Sequence, residues 1–518
     1  MGKVAIVMLA AMLVFAVGSN AQQLGSITFP TSGSTAAQPK FIEGVKDLHS
    51  FEFDEAAEAF HKAQELDPNF AMAYWGEAMS YNHPLWAQLD LPSARKALER
   101  LAPTLEGRLA KAHTDKEKAF IEGVNQLFYA PGDKLARDNA YSDAMSRVYA
   151  RWPEDPEVGI FYALSLLGTV RPGDTGFRRQ ALAASIAIKV FQDNPDHPGA
   201  AHFIIHSFDD PDHAILALPA ARVYARIAPA APHALHMPSH IFVQLGMWQD
   251  VVASNIVAHK AAVDLIARMH LPEGREDFHT LSWLEYANLM LGKFDEARAN
   301  VDLAKQATDR NPQNPAIGQQ YHTMLARYIL ESGKWEKIPI ESSTAPAGGD
   351  HASMPGMPGP GMPGMAGMDT RYAGQASWIF IAGLSAAKLG NPAEAERARD
   401  ALGSIGKGVA AKDAYAAKPF QIMEKEVASA ALSARGQKGD AVRLAKEAAD
   451  IELTMSAPSG PPEPIKPALE FYGEVLLEAG RNADAAKAFQ QQLLRTPKRT
   501  PSVDGLARAT AKTSSERF

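Results

Sequence analysis

One spacing constrains this chain more than any other feature: small residues and prolines recur every 34 residues through its middle. Ala183, Ala217 and Val251 follow one another at offsets of 34, and Pro195 and Pro229 are also 34 apart. A period of that length is one helix–turn–helix unit. One such unit cannot bury its apolar face alone, so successive units stack and cover each other. The chain has 518 residues, too many for one ordinary core. A long all-α repeat array satisfies both facts.

The interior of a unit is legible in Asp47 to Asn69. Phe53, Ala56, Phe60 and Ala63 are spaced 3, 4 and 3 apart, the apolar stripe of one helix face. Gly44 precedes the stripe where the neighbouring helix must approach closely, and Pro68 opens the next element. The same order returns at Gly473, Gly480, Ala485, Phe489 and Pro497. Turn signals recur at Gly292-Lys293-Phe294, Gly333-Lys334-Trp335 and Gly390-Asn391-Pro392.

This order of small, bulky and small residues closed by proline resembles the tetratricopeptide repeat (TPR) family over most of residues 37–500. The resemblance implies an all-α, right-handed superhelical solenoid of about ten or eleven helix pairs. It also implies a concave groove, with the fifth and ninth residues of each repeat pointing into it. Insertions fall near 84–115, 169–177 and 268–277, and Ser502 to Lys512 is expected as a solvating cap helix. The blocks HPGAAHFIIHSFDDPDHA, ALPAARVYARIAPAAPHALHMPSHIF, FHTLSWLEYA, AMAYWGEAMSYNHPLW and KPALEFYGEVLLEAGR are similar to those of an exported bacterial subgroup of that family. That likeness implies fold and export and leaves the chemistry open.

The N-terminus reads as a secretory signal. Lys3 supplies positive charge, an apolar run extends from Val4 to Val17, and Ser19-Asn20-Ala21 offers small residues for cleavage. Residues 1–21 are therefore expected to be removed, placing the mature chain in the periplasm or outside the cell; the alternative is an uncleaved anchor. No later apolar run is long enough for a transmembrane helix. Residues 22–36 are expected to be a disordered linker, 37–340 an N-terminal repeat array, 341–370 a flexible Met/Pro/Gly-rich insertion, and 371–518 a C-terminal array with its cap helix. The formal net charge of −7 and the lack of a long Lys/Arg run argue against a nucleic-acid binder, which would show a basic face. Cysteine is absent, which removes thiolate metal sites and Cys nucleophiles.

In the implied register, the repeat opening at Pro198 places His202 and His206 at its fifth and ninth positions, and the repeat opening at Pro232 places His236 and His240 there. Each pair has i, i+4 spacing and so shares one helix face. The pairs are offset by 34, so four imidazoles are expected to converge between neighbouring helices. His279 lies near the groove in the next repeat, and Asp209 or Asp210 is placed to accept the second ring N–H of a ligand. Such a set fits a copper or zinc ion, but also polar groove lining or acid–base catalysis. HFIIH lacks the Glu that HExxH proteases use, and no phosphate loop or GxSxG elbow occurs, so any enzyme would have to work through these histidines.

Trp75, Tyr286, Glu470 and Glu474 are further groove candidates for a protein or peptide ligand; the alternatives are Trp75 as a core residue and Glu470 and Glu474 as exposed, solvated carboxylates. His351, Met354, Met357, Met362, Met365 and Met368 offer soft ligands for Cu(I) in the 341–370 segment, or are low-complexity filler. Two functions remain at this level. One is an exported scaffold that binds a protein or peptide in its groove; the other is a periplasmic copper or zinc protein.

Overall fold

In a computed structural model of the chain, the described residues are 23–174, 176–270, 277–340 and 373–515. They form an all-α superhelical repeat fold in which consecutive helices pack as antiparallel neighbours. The two helices of a pair differ in pattern. Inner helices are apolar nearly all round: all ten residues of Ala71–Ser80 are buried, as is almost all of Pro156–Leu167 and Phe278–Met290. Outer helices such as Phe53–Leu66 and Phe294–Arg310 bury one stripe and expose the other face. A helix sandwiched by neighbours loses the polar face that an outer helix keeps.

The repeated small positions are sites of close approach. A Cβ on Gly44 or Gly76 would lie 2.9 or 2.3 Å from the Phe60 ring, and one on Gly473 or Gly505 would lie 2.7 or 2.4 Å from Phe489. The bulky residue of each unit fills the space that its glycines leave. Gly292 and Gly480 turn the chain between paired helices at φ +69° and +78°, where a side chain would be strained. The 84–115 insertion pairs Gln88–Leu89 with the preceding Asn82–His83 as a short ribbon and adds the helices Leu91–Leu101 and Leu105–Lys111.

Three expectations are corrected here. Residues 23–36 are ordered against the array. Phe29 is 1% exposed, with its ring 5.3–5.4 Å from those of Phe41 and Phe120. The Ser32 backbone N–H donates to Glu117 at 2.6 Å. Polar composition hid the apolar anchors Leu24 and Phe29, both of which are buried. The repeats on either side of 341–370 are not separate arrays: Pro315–Ser332 packs directly on Ala373–Lys388, and one apolar core runs from Leu24 to Ala509. The helix Thr500–Ser515 does more than solvate the end, because Ser502 and Ala509 are fully buried.

The chain's own C-terminal segments pack against the middle repeats. Gln244 Nε2 donates to the Pro458 carbonyl at 2.9 Å, and Gly460 sits flush on Trp283. Trp248 Nε1 donates to Lys498 O at 3.1 Å, and Thr500 Oγ1 to Met290 O at 2.6 Å.

Candidate metal centre

Three inner helices supply the histidines. Pro198–Ser207 starts at a proline, whose missing N–H costs nothing in the first turn. It carries His202 and His206 as its fifth and ninth residues. The next inner helix is broken at Met237 into Pro232–His236 and Pro238–Gln244, because Pro238 cannot donate into the ladder. His236 and His240 lie on either side of the break. The third helix, Phe278–Met290, is capped by Asp277, which accepts from Thr280 N at 3.0 Å, and carries His279 as its second residue.

The expected quartet divides into two triads. His202 and His206 join His233, and His236 and His240 join His279; within each triad one ligand atom per residue lies within 4.8 Å of the others. The triads abut, with 6.0 Å between the rings of His206 and His240 and 6.4 Å between those of His233 and His236. His233 was missed by the sequence analysis. Its signal was available: it is the second residue of its helix, as His279 is of its own.

The ring nitrogens that face away from the triads are held. His202 Nδ1 meets the His49 carbonyl at 2.6 Å, and His240 Nδ1 meets Asp209 Oδ2 at 2.6 Å. His236 Nδ1 meets Asn255 Oδ1 at 2.7 Å, and that amide is oriented by its Nδ2–H donating to Val251 O at 2.8 Å. All three partners are acceptors, so each Nδ1 carries the proton and each Nε2 of the neutral ring is a bare lone pair. Those lone pairs point inward. His236 Nε2 is 3.2 Å from His240 Nε2 and 2.8 Å from His279 Nε2, while His202 Nε2 is 3.2 Å from His233 Nε2. His206 Nε2 is buried with no partner at all. Asp210 does not serve the triads; it bonds His213 Nδ1 at 2.8 Å, because it turns back on its own loop.

Burial sets the protonation state. Desolvation, reinforced by neighbouring histidines, lowers His202 and His236 to about 3. The same causes hold His206, His233 and His279 well below the usual imidazole value. Neutral imidazole is the form that ligates metals. Aromatic rings wall the triads. Phe51 lies 4.4 Å from His202 and 5.5 Å from His233, and Trp283 lies 4.4 Å from His240 and 5.2 Å from His279. Phe51 adopts φ +57°, a strained conformation for a bulky side chain, and strain of this kind concentrates at functional sites.

Beneath the first triad, Glu157 bridges His49 Nε2 at 2.8 Å and His197 Nε2 at 3.1 Å, all three fully buried. His197 Nδ1 accepts from Ala200 N at 3.2 Å, so its Nε2–H is the donor to Glu157. Despite desolvation, the two histidines lower the Glu157 carboxyl to about 2. These groups are committed to one another, and they fix the His49 carbonyl that orients His202.

Of the other groove candidates, Trp75 takes its alternative place in the core, whereas Glu470 is neither a groove residue nor a solvated carboxylate. Trp75 is fully buried among Phe29, Phe120 and Phe161. Tyr286 is buried beside Arg499, and Glu470 is fully buried, accepting from Arg499 Nε at 2.8 Å and Lys466 Nζ at 2.9 Å. Glu474 is half-buried and accepts from Lys466 at 2.6 Å. None of the four lines an open groove: Phe29 of the N-terminal segment packs on Trp75, and Arg499 and Lys466 of the C-terminal segments pair with Tyr286, Glu470 and Glu474. His351 and Met354, Met357, Met362, Met365 and Met368 lie outside the described residues.

No family model and no curated protein matches the chain. Among solved structures it is similar to yeast Tom70, at 11% identity over 92% of this chain and 88% of that one, with a TM-score of 0.33. It is also similar to the P58(IPK) TPR domain, at 12% identity over 93% and 99%, TM-score 0.24. A monomeric mutant of IFIT1 with Gppp-AAAA shares 13% identity over 93% and 92%, TM-score 0.37. No helix among the described residues is long and apolar enough to cross a membrane.

Proposed function

We propose that this chain is an exported metal-binding protein whose histidine triads hold copper or zinc. One observation carries the proposal. Asn255 and Asp209 force His236 and His240 to present bare Nε2 lone pairs to each other at 3.2 Å in a buried site. The His279 ring can donate one proton to one of them, which leaves the other opposed and unsatisfied. A cation among the three nitrogens satisfies all of them, and an unpaired buried polar atom is otherwise costly. Imidazole ligands suit copper and zinc, and second partners on Nδ1 are what metal-binding histidines need.

The test uses full-length protein without a His tag. Copper or zinc is expected to stay bound through gel filtration, and to raise the melting temperature, since a ligand at ~1,000 times its Kd stabilises by about 4 kcal/mol. Protein that takes up neither ion, and whose melting is indifferent to both, refutes the proposal. Export is tested by N-terminal sequencing, with Gln22 expected as the first residue of the mature chain. A protein-binding role is a second proposal. Its support is the exposed apolar set Ile215, Leu216, Ile256 and Val257 on outer helices, rather than the concave face.

A further inference from the structure

We propose that the centre is binuclear, with one copper ion in each triad, and that it takes dioxygen between the two ions. This rests on the metal-binding function proposed above and adds the number of ions, their identity and the ligand. The two triads are built to one plan. Each uses the fifth and ninth residues of an inner helix and the second residue of the next one: His202, His206 and His233, then His236, His240 and His279. The first two positions repeat at an offset of 34, and the third at 46, because the longer outer helix Trp248–Met269 and the 268–277 insertion precede its helix. A single shared ion does not call for the same three-position set twice. Two equivalent ions do.

Charge selects the ion. A carboxyl group touches each triad: Asp209 accepts from His240 Nδ1 at 2.6 Å, and Glu52, which burial and the neighbouring Glu55 push toward its neutral form, accepts from the His233 backbone N–H at 3.0 Å. Two singly charged ions leave the smaller imbalance. Two doubly charged ions would leave net charge inside a wall of Phe51, Trp86 and Trp283, where unpaired charge is expensive. Cu(I) is the singly charged transition ion that imidazole binds. Three ligands leave each ion an open position, and the triads abut, with the rings of His206 and His240 6.0 Å apart. Dioxygen suits such a pair of ions chemically. Each Cu(I) gives one electron and becomes Cu(II), the bound dioxygen takes both electrons, no bond to the protein breaks, and no proton or outside reductant is required.

The experiment loads full-length protein anaerobically with Cu(I), removes excess metal, counts copper per chain, then admits air and records absorption and electron paramagnetic resonance. Two coppers per chain are expected. Air should bring a new near-ultraviolet band without a Cu(II) resonance, because paired spins couple. His206→Gln and His279→Gln should each retain one copper. His206 Nε2 has no partner to lose, so His206→Gln reads the site with little cost to the fold, and melting without metal checks this. One copper in the parent, lost wholly in either variant, overturns the binuclear proposal while leaving a metal protein. Two coppers with a full uncoupled resonance in air overturn the dioxygen ligand. No copper overturns this inference, and only if zinc is refused as well does it overturn the function on which the inference rests.

Discussion

Asp209→Asn isolates the role of one hydrogen bond without touching a ligand. Asp209 Oδ2 receives the His240 Nδ1 proton at 2.6 Å, and its Oδ1 faces Gln244 Nε2 at 3.4 Å. Gln244 cannot turn round, because its Nε2 also donates to Pro458 O at 2.9 Å. An asparagine therefore has two poor choices. With its oxygen toward Gln244, its amide N–H points at His240 Nδ1, the ring proton moves to Nε2, and the ligand atom is lost. With its oxygen toward His240, two N–H groups confront each other and the negative charge that strengthens the ligand is gone. Loss of such an outer partner typically weakens metal binding 10- to 100-fold, or about 1.4–2.7 kcal/mol. A competition titration against a chromophoric chelator measures this. Only the equivalent bound by His236, His240 and His279 should weaken, with the other at parental affinity. Parental affinity at every equivalent would refute the tautomer reasoning.

Three further outcomes follow from the same contacts. Acid should destabilise the metal-free protein from about pH 6.5 downward. His202 and His236 have folded values near 3, below their unfolded value, so the unfolded chain binds more protons across that window. The loss reaches roughly 4–5 kcal/mol per residue at most, at ~1.4 kcal/mol per unit, and Glu157, lowered to about 2, adds to it in the same direction below pH 4.5; a urea midpoint unchanged between pH 7 and pH 5 would contradict this. Arg499→Met strips Glu331 of its buried partner, leaves Glu470 only Lys466, and should cost about 3–5 kcal/mol in urea unfolding, whereas a change under about 1 kcal/mol would mean that packing offsets the pair. Phe29→Ala should cost roughly 3–5 kcal/mol in the same assay, and its cleavage by protease near residues 23–36 should rise; parental stability would mean that the segment does not anchor there.

The candidate site was half legible. The i, i+4 spacing put His202 with His206 and His236 with His240, because a helix alone fixes which residues share a face. Partner choice across helices was not legible. His233 joins His202 and His206, and His279 joins His236 and His240, from neighbouring helices, a packing that spacing within one helix does not give. The two adjacent aspartates illustrate the same limit: Asp209 reaches His240 while Asp210 turns to His213, a difference no spacing encodes.

The repeat period, the helix pairing and the glycines that admit Phe60 and Phe489 follow from the sequence alone, since each rests on contacts a few residues to one repeat apart. Tertiary structure alone decided what covers the expected groove positions. Trp75 and Tyr286 hold such positions, but Phe29 folds onto one and Arg499 onto the other. These partners are 46 and 213 residues away in the chain, more than one repeat, so burial rather than period chose them. Local rules determine the units; only the closed array determines which side chains remain for a ligand, and there it leaves six histidines facing inward.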